Sequence, residues 1–431
     1  MLNTSNNDQQ HIVIIGGGFA GIELAKKLKN HPLQVTLLDR NNYFTFQPLL
    51  YQVATGGLEP HSVAYPYRQL FRNADNIQFR MAEVESIDSS QKIVQTDSGS
   101  VRYDQLVLAT GSRPNFFGLN ERLLYPLKSL PNALAMRNWL LSKFEQATKI
   151  SDPQERDAIM NVLIVGGGPT GVELAGALGE MKKFILPKDF PELDPDKMRI
   201  ILVEGMDQLL PAMSEISGKK AGEYLKKLGI EIHLNQLIKE YDGYSVNLNG
   251  EEIPTYNTIW TAGVGGNAPD GFNGEQLKNG RIRVDKFHRV LGYNDVYAAG
   301  DLAAMITDEY PRGHPMLAPV AIQQGKHLAG NLIRKSKGKN IKPFQYKDNG
   351  TMATVGRNRA VVEMGKVKFQ GFWAWMAWMS LHLISLVGFR NKLVVMINWI
   401  YNYFRYDKSL RIIIHNTSAL GKEEMQSAEN Q

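Results

Sequence analysis

Two stretches of this 431-residue chain nearly repeat one another, HIVIIGGGFAGIELA from His11 to Ala25 and VLIVGGGPTGVELA from Val162 to Ala175. Each is a short β-rich apolar run, then a glycine triplet, then residues of helical period such as Leu24, Ala25 and Leu28. Glycines at this spacing handle phosphate. Gly16 permits the tight turn, Gly18 lets a pyrophosphate approach the main chain, and Gly21 lets the helix pack closely on the strand. The helix start adds free N–H groups and the positive end of its dipole. Gly166, Gly168 and Gly171 repeat the arrangement.

Each turn has an acidic partner. The strand VTLLD ends at Asp39 and MRIILVE ends at Glu204, the positions of a ribose-binding carboxylate. A carboxylate there accepts from a ribose 2′-OH and repels a 2′-phosphate, so Glu204 predicts NADH rather than NADPH. The insertion KKFILPKDFPELDPDK lengthens the spacing before Glu204. Two such folds imply two dinucleotides, and the pairing that suits electron traffic is FAD with NADH.

These turns require parallel sheets to position them. YDQLVLATGSRP (Tyr103 to Pro114) and VYAAGD (Val296 to Asp301) read as two further strands of the first fold, with the second fold and its own TIWTAGV turn (Thr258 to Val264) lying between them. The expected class is α/β, with two Rossmann-like dinucleotide-binding domains, the second inserted in the first, plus a C-terminal membrane-associating helical region. The expected division is 1–115 and 285–345 for the FAD-binding domain, 116–284 for the NADH-binding domain, and 346–431 for a membrane-anchoring region with a flexible tail.

Composition narrows the chemistry. With 0 Cys there is no disulfide framework, thiolate metal site or thiol redox pair, so electrons must pass through bound cofactors. No metal-ligand spacing occurs among the 9 His, and no GxSxG elbow is present. A net charge of +6 comes from dispersed Lys and Arg without aromatic-studded basic motifs, which argues against nucleic acid. MLNTSNNDQQ does not resemble a secretory signal, and predicts the cytoplasm or its membrane face.

GFWAWMAWMSLHLISLVGF, Gly371 to Phe389, carries no charge, and four of the 6 Trp lie between Trp373 and Trp399. A core helix pair, a spanning helix and two amphipathic helices in the membrane interface all fit. His382, two serines and the short second arm count against spanning. The interfacial arrangement is favoured, with Arg390, Lys392 and Arg405 reaching lipid phosphates. The tail SALGKEEMQSAENQ is expected to be disordered.

With both glycine turns, ATG and GD in place, the chain resembles the two-dinucleotide-binding-domain flavoprotein superfamily. DRNNYFTFQPLLYQVATG (Asp39 to Gly56), GGGPTGVELA and LAPVAIQQGKHLAGNL (Leu317 to Leu332) are similar within it to the type II, non-proton-pumping NADH:quinone dehydrogenases. Phe44 stands where those enzymes commonly carry histidine, and Pro319 replaces the first glutamine of an AQxAxQ segment, leaving Gln323 as its second, with Gln324 beside it.

The resemblance implies FAD contacts at Gly16, Gly18, Phe19, Ala20, Asp39, Arg40, Gln47, Pro48, Val84, Ala109, Thr110, Gly111, Gly300, Asp301, Ala318, Pro319 and Val320. It implies NADH contacts at Gly166, Gly168, Pro169, Thr170, Glu204 and Gly263. Hydride would pass to FAD and two electrons to a membrane quinone, with Gln323 and Glu173 as catalytic candidates. Asp301 also suits a helix N-cap. Glu173 equally suits a favourable charge at a helix start, as Glu23 in the first copy would be.

The resemblance further implies a homodimer; the N-terminus and the aromatic C-terminal segment together predict a peripheral, monotopic protein on the cytoplasmic face of the cell membrane, touching the bilayer surface through its C-terminal helices. A soluble NADH:ferredoxin-type reductase and an NADH-binding redox sensor are the competing functions; the first gives no reason for the aromatic C-terminus, and rapid multiple turnover with quinone would eliminate the second.

Overall fold

The computed structural model describes residues 9–270, 272, 274–405 and 410–414. The polar tail expected to be disordered lies outside the described residues. In a five-stranded parallel sheet the order is Val296–Ala298, Gln105–Leu108, His11–Ile15, Gln34–Asp39 and Ile77–Met81. The strand reached last in sequence therefore pairs with Gln105–Leu108, Val296 facing Leu106. The central strand is covered on both faces, as its unbroken Ile-Val-Ile-Ile run requires.

A second five-stranded parallel sheet repeats this plan with Tyr125–Pro126, Asn257–Trp260, Val162–Val165, Ile200–Val203 and Ile230–His233. The nesting is real: the second sheet lies wholly between strands of the first. A short antiparallel pair, Ser112–Pro114 with Val264–Gly266, joins the two turns.

One junction sits earlier than position 284. The strand Ile282–Val284 pairs with Ala303–Met305, and Phe272, Ile282 and Val284 share one core with Val13, Leu106 and Leu108. Burial of these apolar side chains, rather than chain order, decides which body the segment joins.

Helix α1 (Phe19–Leu28) follows the first glycine turn and α2 (Pro169–Phe184) the second. Helix α3 (Ala318–Ser336) packs across α1, where Gly325 makes room: a Cβ there would collide with the carbonyl of Ala20.

The C-terminal part opens with strands where only helices were expected. Thr351–Thr354, Ala360–Met364 and Val367–Gln370 form an antiparallel sheet whose Ala360, Val361 and Val362 are fully buried. Short β-branched runs punctuated by Asn358 and Gly365, both at positive φ, favour hairpins over helix.

Helices α4 (Phe372–Ser385) and α5 (Phe389–Arg405) follow. α5 buries Asn391, Val395 and Trp399, one stripe at helical spacing, and hydrogen-bonds along the segment 52–64 through Trp399 to Gln52 (2.8 Å), Asn402 to Gly57 (3.2 Å) and Asn391 to Ala64 (2.9 Å). Among the described residues no helix is long and apolar enough to cross a membrane. Beyond α5, residues 410–414 return to the body, with Ile414 paired to Asn138 through both main-chain groups and Arg411 to Asp189 at 2.5 Å.

Candidate active site

The two glycine turns use the same bonds. Gly16 N–H donates to Leu38 O and Gly166 N–H to Val203 O, both at 2.8 Å. The next amide meets the acid at the end of the second strand: Gly17 N–H donates to Asp39 Oδ2 (2.7 Å) and Gly167 N–H to Glu204 Oε2 (2.6 Å). The free oxygens are also braced, Asp39 Oδ1 by Asn41 N–H and Glu204 Oε1 by Met206 N–H, both at 2.8 Å. Each carboxylate therefore stands fixed beside its turn. Burial raises the Asp39 carboxyl, and the Asn41 and Gly17 amides counter it.

The turns fit a pyrophosphate. Gly16 (φ +98°) and Gly166 (φ +110°) hold left-handed conformations that other residues resist. A Cβ on Gly18 or Gly168 would meet nothing within 4 Å, so open space adjoins both helix starts. No side chain caps α1 or α2, which leaves the first-turn N–H groups for an anion.

Around the first turn gather most of the residues expected to hold FAD. Phe19 packs edge-on against Phe44 and Phe46, at 5.3 and 5.9 Å between ring centres. Phe44 is buried there, which suits phenylalanine where a histidine would need a partner. Arg40 follows Asp39, Gln47 and Pro48 open a short 3₁₀ turn, and Val84 starts a separate small sheet near the strand end. Ala109–Gly111 and Gly300–Asp301 leave neighbouring strands at the carboxyl edge of the sheet, where dinucleotides bind in this topology.

Thr110 Oγ1 is committed to Asn267 O (2.5 Å). Asp301 accepts from Ser112 Oγ (2.5 Å) and lies 3.6 Å from the Lys128 ammonium. Ala318, Pro319 and Val320 form the first, uncapped turn of α3. The second cluster, Gly166, Gly168, Pro169, Thr170, Glu204 and Gly263, likewise gathers at the edge of the second sheet.

The adjacent glutamines diverge. Gln323 gives both amide atoms to Lys347, donating to its carbonyl (2.8 Å) and accepting its N–H (3.0 Å). Gln324 is fully buried, accepts Gly300 N–H at 2.7 Å, and leaves its amide nitrogen without a partner. An orphaned buried donor beneath the GD turn fits a polar group of the dinucleotide.

Glu173 faces a third environment. It lines a largely apolar cavity of about 860 Å³, counting space open to solvent, between α2 and the C-terminal helices, with Tyr51, Thr354, Trp375, Trp378 and Trp399. Its Oε1 accepts Trp378 Nε1–H (3.2 Å) and Thr354 N–H (3.4 Å). Burial pushes its carboxyl up to about 8, the two donors pulling the other way. Glu23, at the matching place on α1, instead pairs with Lys26 (2.9 Å) and Lys326 (3.3 Å), which pull its carboxyl down despite burial. Sequence equivalence thus hides two different electrostatic sites. Gln323 is not among the residues lining this cavity.

His382 stacks on Trp378 at 4.0 Å between ring centres, donates from Nδ1 to Trp378 O (2.8 Å), and is driven down to about 4 by burial. Lys392 donates to Ile384 O at 2.6 Å, closing the end of α4. Tyr51 and Gln52 lay within the Asp39–Gly56 stretch and Trp378 and Trp399 within the aromatic run, but no spacing tied them to one another: only the fold brings them to Glu173.

Residues 10–325 match the pyridine nucleotide-disulphide oxidoreductase family and residues 349–405 the NDH2 C-terminal domain. Two type II NADH:quinone oxidoreductases of Mycobacterium tuberculosis are 35% and 34% identical, over 92% and 91% of this chain and 89% and 86% of theirs. The fold is also that of Plasmodium falciparum NDH2 in complex with NADH, at a TM-score of 0.85 with 20% identity over 94% of this chain and 100% of that one. The sulfide:quinone oxidoreductase of Aquifex aeolicus shares the fold less closely, at 0.71 with 21% identity over 94% and 96%. With its glycine turns, GD turn and C-terminal unit all in place, the chain belongs to the type II NADH:quinone oxidoreductases.

Proposed function

We propose that this protein oxidises NADH and reduces a membrane quinone without translocating protons, as a peripheral, monotopic enzyme of the cytoplasmic face. The observation that carries this is the cavity at Glu173, where the helix leaving the NADH-type turn meets the two aromatic C-terminal helices. Bound FAD supplies the hydride and electron chemistry.

The protein's own residues bind and orient. Gly166, Gly168, Pro169, Thr170 and Gly263 form the NADH cradle, and Glu204, fixed by two main-chain donors, receives the ribose hydroxyls. Gly16, Gly18, Asp39, Thr110, Gly111 and Asp301 do the same for FAD. Glu173 holds a proton near neutral pH, because its carboxyl sits at about 8. Since Oε1 already accepts two donors, that proton belongs on Oε2 and is available to a quinone oxygen in the cavity. Gln323 acts at one remove, bracing Lys347 at the approach to the strand that presents Thr354.

The outer faces of α4 and α5 supply the lipid contact. Trp373, Ile384, Phe389 and Phe404 are 75%, 70%, 81% and 77% exposed. Aromatic and aliphatic side chains so placed favour the bilayer interface. Steady-state turnover tests the assignment: NADH should be consumed rapidly with menadione as acceptor and far more slowly with NADPH. Turnover only with a protein electron carrier would reject it.

A further inference from the structure

Three polar groups beside the Glu173 cavity fix one another's orientation in sequence. The indole N–H of Trp399 can only donate, and it donates to Gln52 Oε1 at 2.8 Å. That sets the amide, so Gln52 Nε2 must present hydrogens, and it donates to the Tyr51 hydroxyl at 2.9 Å. The Tyr51 oxygen is thereby an acceptor, and its own hydrogen must point elsewhere. No acceptor for it occurs among the described residues. Tyr51 is 6% exposed and lines the cavity with Glu173.

A buried hydroxyl that lines a largely apolar cavity and has no acceptor there for its hydrogen can bind one on a ligand. Neither carboxyl that lines the cavity accepts it: Glu173 Oε1 takes the Trp378 and Thr354 N–H groups, and Glu180 Oε1 takes the main-chain N–H of Arg357. Burial and the neighbouring Glu173 both hold the phenol far above its ordinary range, so it stays a donor at every working pH.

We infer that Tyr51, oriented by Gln52 and Trp399, donates its hydroxyl hydrogen bond to a carbonyl oxygen of the quinone. The inference rests on the proposed function and adds a substrate-binding group to it. Trp399 lies on α5, so the same relay ties the seating of that helix to recognition of the quinone carbonyl. No proton or electron leaves Tyr51. The hydroxyl binds and orients, while the two electrons and two protons that make the quinol arrive from elsewhere.

The test uses the holoenzyme and menadione. Titration of the oxidised protein, without NADH, reads menadione affinity through quenching of the cavity tryptophans. Tyr51→Phe keeps the ring and removes the hydroxyl. It should weaken menadione binding and lower its kcat/KM by about 10-fold, while anaerobic bleaching of the flavin by NADH keeps its wild-type rate. Trp399→Phe, which frees the Gln52 amide to flip, should give a smaller loss of the same kind, about 3-fold. Menadione affinity and kcat/KM within about two-fold of wild type in Tyr51→Phe would overturn the inference. Failure of NADH to bleach the wild-type flavin would instead strike the proposed function.

Discussion

Oε1 of Glu173 accepts the indole N–H of Trp378 at 3.2 Å, so a residue of the C-terminal helix α4 reaches the carboxyl that the second glycine turn's helix carries inward. This bond joins the nucleotide-binding body and the C-terminal helices around a common cavity. A carboxyl so buried costs stability when ionised, and that cost can be measured.

Below the ordinary carboxyl range Glu173 is neutral in both folded and unfolded chains. As pH rises towards 8 the unfolded chain releases the proton while the folded protein keeps it, so stability falls by about 1.4 kcal/mol per pH unit, then levels off. Glu173→Gln removes that slope. Thermal midpoints at about pH 5.5 and pH 8.5 should show the variant gaining on wild type by a few kcal/mol at the higher pH. Parallel pH profiles would mean that the carboxyl titrates normally.

Glu204 should decide between the two nicotinamide nucleotides. Glu204→Ala removes both the ribose acceptor and the brace on Gly167, and should lower kcat/KM for NADH by about 10-fold while NADPH gains in relative terms. Comparing kcat/KM for both nucleotides checks this. An unchanged ratio would show that Glu204 only stabilises the turn.

How much of this was legible beforehand differs from residue to residue. Gly16, Gly166, Asp39 and Glu204 could be found because strand, turn and helix impose fixed local spacing, and the bonds from Gly17 and Gly167 follow from it. The sheet at 351–370 was missed because its strands are short and lie next to an aromatic run that dominates the segment. Glu173 and Glu23 look alike in sequence; only long-range packing puts lysines beside one and tryptophans beside the other. Tyr51 lay within a recognised stretch, but its role depends on Trp399, far away in sequence.

Asp301 should govern flavin retention. Its carboxylate is held by Ser112 and lies near Lys128, at the edge where Gly300 leaves the sheet. Asp301→Ala should purify with most of its flavin lost, read as the ratio of flavin to protein absorbance, while a melt with added FAD recovers part of the lost stability. Full flavin content would leave Asp301 with a structural role alone.

The exposed faces of α4 and α5 should bind bilayers. Replacing Trp373, Phe389 and Phe404 together by serine removes large apolar surface that membrane would bury, each worth about 1.5–3 kcal/mol when fully buried. Co-sedimentation with anionic vesicles should fall by at least about 100-fold in partition coefficient, with turnover on water-soluble menadione retained. Unchanged sedimentation would place the lipid contact elsewhere.

The most direct measurement of the central claim is anaerobic rapid mixing in two stages, following flavin absorbance. NADH should bleach the flavin quickly, NADPH should do so far more slowly, and menadione added second should restore the oxidised spectrum within a turnover. Flavin that NADH reduces but menadione cannot reoxidise would contradict the account.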